Sequence, residues 1–432
     1  MEPNILFITS HDLGRHLGCY GQNTVSSPAL DNLAAGGVLF ENSFCAAPQC
    51  SPSRAALHTG RYPHSVGMLG LAHDPFNWRL HREEAHLAAL LREEGYETVL
   101  YGVQHLTETK DVAALGYEKF DTTDPVVPAP DLAAKASAYL RDYKGERPFY
   151  LEVGFFEPHR PYDWGGAVPD DSLGVAIPDY LVQSGAAREE IAALQGGIRR
   201  MDQALGEILQ TLEKQRLAEN TWVIFAVDHG LAMPKAKCTL YDPGIQAALI
   251  MRWPQAGILG GRRFSEMISF VDVVPSILDG LGLPASNNLH GRSFWPLLNN
   301  ESYQENQYVY AEKTFHTAYE PMRGIRNERF KLIINFEVDT RIDVPDDIRE
   351  GLIYPLMIPE LTGHRSHIEL YDLESDPGEV TNLTGEPEFN DIERELKREL
   401  LAWMQRTGDP LLLGPIASPF YSKAIGLLSS NS

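Results

Sequence analysis

The stretch Asn4-Ile-Leu-Phe-Ile-Thr9, with Ser10, His11 and Asp12 directly behind it, decides how the rest of the chain is read. A short apolar, β-branched run without alternation is the pattern of a central strand buried on both faces. Polar residues at the carboxyl end of such a strand stand where open α/β sheets place their sites. The pattern returns at Trp222 to Val227, followed by Asp228-His229-Gly230, and further apolar runs stand at Thr98 to Tyr101, Phe149 to Phe156 and Ala247 to Met251. Amphipathic stretches separate them. Ser27-Pro28 supplies an N-cap and first turn for a helix reaching Gly36, and Glu189 to Leu217 reads as one long packing helix. Strands alternating with helices predict an α/β fold with a doubly wound, mostly parallel sheet flanked by helices. From Tyr308 the texture changes to short strands, Tyr308 to Glu312, Gly324 to Arg326 and Lys331 to Asn335, and then a helix from Glu386 to Arg406. This predicts a catalytic domain over residues 1–305 and a smaller C-terminal α+β subdomain over 306–432.

The 432 residues carry 37 Lys plus Arg against 59 Asp plus Glu, a formal net charge of -22. Such a surface disfavours nucleic acid and anionic membrane as partners, so an anionic substrate needs a local basic cluster. Met1-Glu-Pro-Asn has neither the basic nor the apolar segment of a secretory signal, and a cytoplasmic location is the expectation, a trimmed secreted or periplasmic form being the alternative. No apolar run approaches the ~18 residues of a membrane span. Four cysteines, Cys19, Cys45, Cys50 and Cys238, are too few for a disulfide framework and form no CxxC pair.

Cys50 is set apart by its neighbours, Cys50-Ser-Pro-Ser-Arg54-Ala-Ala-Leu-His-Thr-Gly60. Pro52 suits a first helical turn, which would put Cys50 at a positive helix N-terminus facing an anion, with Arg54 one turn on. The segment matches C-x-P-S-R followed by a short apolar run and T-G, and so resembles the signature of the type I sulfatases of the alkaline phosphatase superfamily. The resemblance implies that a formylglycine-generating enzyme oxidises Cys50 to an aldehyde. One hydroxyl of the hydrated aldehyde attacks sulfur, and its partner hydroxyl later expels the sulfate.

Other motifs follow in that family's order. Asp12 and Asp228-His229 resemble its metal motifs. The resemblance implies a divalent cation held by Asp12, Asp228, His229, His11 and the group at Cys50, calcium first. His11 stands where relatives carry a second acidic residue, and two imidazoles make Mn2+ or another divalent ion the alternative. His11 itself is either a ligand or a supporting histidine. Glu157-Pro-His159-Arg-Pro161 matches P-H-x-P, whose histidine contacts sulfate and leaving group. Lys237, before Thr239-Leu-Tyr241, aligns with a basic residue that binds sulfate and protonates the leaving oxygen, with Lys235 its near competitor. Tyr101-Gly102-Val103-Gln-His105 resembles G-K-x-H, which makes His105 the partner of the diol and a base for releasing sulfate. The lysine is replaced by Val103, a loss of about 2–4 kcal/mol of transition-state stabilisation for one charge-assisted contact in a desolvated site. Lys110 and Arg15 are the candidates to compensate, a slow enzyme being the alternative.

Within the family, His64-Ser-Val-Gly67-Met-Leu-Gly70-Leu, Met233-Pro through Tyr241-Asp-Pro-Gly244, Tyr319-Glu-Pro321-Met-Arg323 and Glu369-Leu-Tyr-Asp372 are similar to the heparan N-sulfatase branch. That implies a sulfate ester or sulfamate on a sulfated, glucosamine-like small molecule or oligosaccharide. Glu312, His316 and Arg323 would line the substrate mouth, an ion pair or surface role being open for Glu312 and Arg323. His73, Trp78 and Tyr162 are candidates by position. Two other readings stay open. One is a phosphonate or phosphate ester hydrolase on the same fold; the other is a catalytically idle, sulfatase-like sugar-binding protein. A homo-oligomer is compatible with the sulfatase reading and with both of these.

Overall fold

Strand β1, Asn4–Ser10, is buried at every position, and Ile5, Leu6, Phe7 and Ile8 expose no surface. Such a strand has a neighbour on each side and a helix layer on each face. The computed structural model describes residues 2–122, 126–338, 342–362 and 365–429. After β1 come β2 (Val38–Phe44), β3 (Glu97–Gly102), β4 (Lys119–Asp121), β5 (Phe149–Gly154), β6 (Thr221–Val227), β7 (Leu249–Arg252) and β8 (Arg262–Ser269). They form one sheet in the order β4-β3-β5-β1-β6-β7-β2-β8. Neighbours pair in parallel except for β7, which runs antiparallel to both β6 and β2. The mostly parallel sheet is therefore as expected, with β1 near its middle.

Helices α1 (Pro28–Gly36), α2 (Cys50–Thr59), α3 (Leu87–Glu93), α4 (Ala129–Asp142) and α5 (Gly185–Lys214) lie between the strands. Helix α5 packs against both α4 and α1, and α2 packs against the helix Val273–Gly280. Ser184 caps α5 by accepting a hydrogen bond from the Ala187 amide, which starts the helix four residues before the sequence signal at Glu189. Every residue of α2 is buried.

Strands β2 and β8 carry no clear sequence signal. β8 lies at the sheet edge and alternates half-buried and exposed positions over its first five residues, so Arg262-Arg-Phe-Ser-Glu lacks the apolar run of a central strand. A second sheet, fully antiparallel, has the order β12-β11-β10-β9 and comprises β9 (Val309–Phe315), β10 (Tyr319–Arg326), β11 (Phe330–Asn335) and β12 (Ile368–Asp372). The helix Asn390–Thr407 covers it, burying Leu396, Leu400, Trp403 and Met404 against Leu332 and Leu370.

Candidate active site

Parallel strands end on the same side of a sheet, so the residues that follow β1, β3, β5 and β6 converge. Asp12 leaves β1 with φ 49° and His105 follows β3 with φ 51°. Left-handed backbone is uncommon outside glycine, and Asp and His are among the residues that adopt it most readily. Gly230 follows the Asp228-His229 pair because nothing larger fits: a β-carbon there would stand 1.8 Å from the Pro243 carbonyl oxygen. That close packing lets the Gly14 amide donate to the His229 carbonyl at 2.8 Å, locking the β1 and β6 loops together.

Cys50 is the first residue of α2, and no side chain caps the amides there. An uncapped, buried N-terminus is a ready site for an anion. The Cys50 Sγ lies 3.5 Å from His229 Nε2 and 3.8 Å from His11 Nδ1. His11 Nδ1 is 3.1 Å from Asp228 Oδ2, and His229 Nε2 is 3.1 Å from Asp12 Oδ1. Donor atoms of His11, Asp12, Cys50 and Asp228 all fall within 4.8 Å of one another. Asp228 Oδ1 accepts from the Asp12 and His229 amides at 3.0 and 2.9 Å, while Arg54 donates to Oδ2 at 3.2 Å and to the Thr9 hydroxyl at 3.0 Å. The Asp12 Oδ1 atom is buried yet accepts no hydrogen bond among the described residues. A buried carboxylate oxygen left so is what a cation site looks like before its ion.

On the other side of Asp12, Lys237 Nζ donates to Asp12 Oδ2 and to Asp347 Oδ2, each at 2.9 Å, and stands 3.4 Å from His159 Nε2. Burial alone would discharge Lys237, but Asp12, the Cys50 position and Asp347 raise its pKa well above the usual lysine value. Burial likewise works to raise Asp12, and Lys237, His159 and His229 overcome it, holding the carboxyl well below its usual range. Burial pushes His11 down to about 4 and holds His105 well below the usual histidine value. The site thus sets imidazoles among buried carboxylates and two cations, Arg54 and Lys237. His105 Nδ1 meets His11 Nε2 at 3.2 Å.

The sequence left two lysines in contention, and the fold separates them. Lys237 is buried in the site, whereas Lys235 pairs with Glu360 at 3.2 Å away from it. Neither proposed substitute for the missing lysine reaches the centre. Lys110 pairs with Glu108 at 2.6 Å on the surface, and Arg15 donates to the Glu41 carbonyl and to Gln246 Oε1. Val103 itself is buried. His73 is drawn in instead, with its ring 6.0 Å from that of His105 and its proton affinity lowered by burial, His159 and Lys237. Trp78 packs on Phe315 with ring centroids 4.9 Å apart, and Tyr162 lies under Arg160 at 4.4 Å.

Glu312 and Arg323 are corrected. Of the two readings, substrate mouth or ion pair, the structure shows the ion pair, in a buried network of the second sheet. Glu312 accepts from the His64 amide at 2.7 Å and pairs with the His64 ring, and Arg323 Nε stands 3.3 Å from Glu312 Oε2. Arg323 grips Asp409 through Nε at 2.5 Å and Nη2 at 3.0 Å, and its Nη1 goes to the Lys313 and Met322 carbonyls. Its side chain is wholly buried and engaged by these partners, so it does not face an open mouth. Arg323→Met should therefore destabilise the fold by about 3–5 kcal/mol, because Glu312 and Asp409 keep their charges without a cation. Guanidinium unfolding measures this; the kcat of the folded fraction should stay unchanged. A variant of normal stability that has lost activity would return Arg323 to the mouth. His316 is also buried, and burial first, then the charges of Lys237 and Lys313, lower its pKa to about 3.

Asp347 is the residue that the sequence did not reveal. It sits in a short helix, Asp346–Arg349, far along the chain and without a motif around it. Its only signal would have been a cation lacking a second carboxylate, which is visible in three dimensions alone.

A profile of the sulfatase family matches residues 3–283, and the chain belongs to that family. It is a sulfuric ester hydrolase by membership, with the alkaline-phosphatase-like fold expected of it. A second profile, the N-sulphoglucosamine sulphohydrolase C-terminal region, matches residues 233–350, a span that ends just past Asp347. Human N-sulphoglucosamine sulphohydrolase is 28% identical over 463 residues, covering 95% of this chain and 92% of that protein. An ulvan-active sulfatase of Formosa agariphila is 30% identical over 430 residues, covering 97% and 83%. The solved structure of BT4656 in complex with its substrate D-glucosamine-2-N,6-O-disulfate superposes with a TM-score of 0.74 at 18% identity, covering 96% of this chain and 99% of that one.

Proposed function

We propose that the protein hydrolyses a sulfate ester or sulfamate on a sulfated sugar of the glucosamine or glycosaminoglycan kind, using a formylglycine derived from Cys50 and a divalent cation. The observation that carries this reading is the position of Cys50: first in α2, with its Sγ within 3.8 Å of imidazoles that themselves touch Asp12 and Asp228. Oxidised to the aldehyde and hydrated, that position supplies the hydroxyl that attacks sulfur. Asp12, Asp228, His11 and His229 would hold the cation. Asp12 Oδ1, buried beside the His229 ring with no hydrogen bond accepted among the described residues, supports the fit, and the bound ion would supply charge neutralisation and Lewis acidity. Two carboxylates favour calcium, and two imidazoles make manganese the alternative.

The chain's own residues divide the remaining work. The α2 N-terminus and Arg54 present positive potential to the anion, and Asp228 keeps the guanidinium oriented. Lys237 Nζ and His159 Nε2, 3.4 Å apart, face the leaving side, where either holds a proton for the departing oxygen or nitrogen. His105 is placed through His11 to take a proton from the nucleophilic side. The similarity of the C-terminal region to N-sulphoglucosamine sulphohydrolase supports the sulfamate alternative among the sugar substrates.

Turnover of an aryl sulfate, an aryl phosphate and an aryl phosphonate by one preparation tests the reading. The sulfate should be preferred over the phosphate by at least ~10²-fold in kcat/KM, since a phosphate monoester brings one more negative charge and Val103 stands where a lysine was expected. Preference for a phosphorus ester would overturn the choice.

A further inference from the structure

A cavity of about 690 Å³ lies away from the candidate active site. It opens at the far end of α2, where Arg61 follows the helix, and the second sheet's covering helix forms its other wall. Cys50 begins this ten-residue helix, so its length, roughly 15 Å at ~1.5 Å per residue, separates the two sites. Three guanidiniums line the cavity: Arg61, Arg292 and Arg406.

Their pairing is unusual for so acidic a chain. Arg61 is neutralised by Glu84, but neither Arg292 nor Arg406 has a carboxylate in ion-pair range among the described residues. Arg292 Nη1 reaches only the Gln304 carbonyl, at 3.3 Å, and Arg406 lies over the Tyr310 ring at 5.2 Å. With a net charge of -22, unpaired arginines sharing one cavity mark a place built to receive an anion. Of the acids on the same wall, Asp272 is buried and accepts from the Ser269 and Arg292 amides and from Asn306, and Glu399 pairs with Arg398.

The rest of the lining is suited to a sugar. Tyr310 stacks on Trp403 with ring planes 5° apart, Tyr62 stands edge-on to both, and Tyr308 lies at the rim. Asn287, Asn288 and Gln307 add amides that pair with hydroxyls. Among the described residues the Trp403 Nε1 and Arg61 Nε atoms are buried without hydrogen-bond partners.

We infer that this cavity is a second binding site for an anionic saccharide, one that holds a sulfated or uronate-bearing oligosaccharide away from the catalytic centre. It goes beyond the catalytic reading and does not depend on it, because binding here requires no turnover. The test uses the full chain carrying Cys50→Ala, so that no probe is consumed, and compares it with the same chain carrying R292Q and R406Q. Both guanidiniums are exposed, and circular dichroism checks that the fold is kept. Titration with a heparin-derived octasaccharide should show at least tenfold weaker binding in the arginine variant. A non-sulfated, uronate-bearing octasaccharide tells which anion is read: retained binding assigns the carboxylate, and lost binding assigns the sulfate. With Cys50 restored, the variant should turn over a small aryl sulfate normally while its KM for the octasaccharide rises about five- to tenfold. Unchanged octasaccharide affinity would overturn the inference. Equal affinity for an oligonucleotide of similar charge would do so too, by reducing the cavity to a general polyanion site. Failure of the aryl sulfate assay in both chains would instead count against the proposed reaction.

Discussion

Cys50→Ala is expected to abolish sulfate release, by about 10⁴-fold or more, with the fold intact. The substitution removes the only atom from which the nucleophile can be made. Losing a covalent nucleophile leaves what the oxyanion donors and binding alone supply. The side chain is small and sits at the head of α2, so the helix and its partners should hold. The cavity left by one sulfur atom costs about 1–2 kcal/mol at most. Mass spectrometry of the wild-type peptide spanning Cys50 gives the complementary reading: an aldehyde, or its hydrate, in place of the thiol. Activity from the alanine variant equal to wild type would end the mechanism proposed above. An active enzyme whose peptide carries only unmodified thiol would end the formylglycine part of it.

Asp228→Asn should be nearly as severe, lowering kcat by about 10³-fold or more, which is ~4 kcal/mol of transition-state stabilisation. The carboxylate has three roles. Its Oδ1 anchors the backbone of Asp12 and His229, while Oδ2 orients Arg54 and lies 3.1 Å from His11. The amide preserves acceptor geometry but removes the charge that balances Arg54 and that a cation would require. Asparagine is the informative choice for this reason, since alanine would also unpick the loops. Two measurements distinguish charge from shape. Calcium should raise the melting temperature of the wild-type chain and leave that of the variant unmoved, and the unliganded proteins should melt within a few degrees of each other. A calcium-dependent shift of equal size in both would remove Asp228 from the proposed metal site.

The centre of the sheet was legible because β1, β5 and β6 are buried on both faces, and double burial writes itself as an unbroken apolar run. The edge was not legible. β8 spends half its residues on solvent and reads as any amphipathic stretch, and β7 gives no hint in its residues that it runs against its neighbours. Cys50, Arg54, His11, Asp12, His105, His159, Asp228 and Lys237 stood in local motifs next to strand ends or a helix start, so they could be named before their meeting was seen. Glu312 and Arg323 were misplaced because a charged residue on a strand looks the same whether it faces a ligand or a buried partner. The partner here, Asp409, comes from 86 positions further along.

The sequence by itself determined the fold class, the nucleophile segment and the set of side chains that follow the parallel strands. These properties depend on residues near one another in the chain, through strand burial, helix starts and loop chemistry. Only the tertiary structure decided that Asp347 joins Lys237 and His159, that Val103 is left without a substitute cation, and that Arg292 and Arg406 face a common cavity. Each of those facts is a charge balance struck between distant segments, and Coulomb interactions depend on separation in space, which local sequence does not encode.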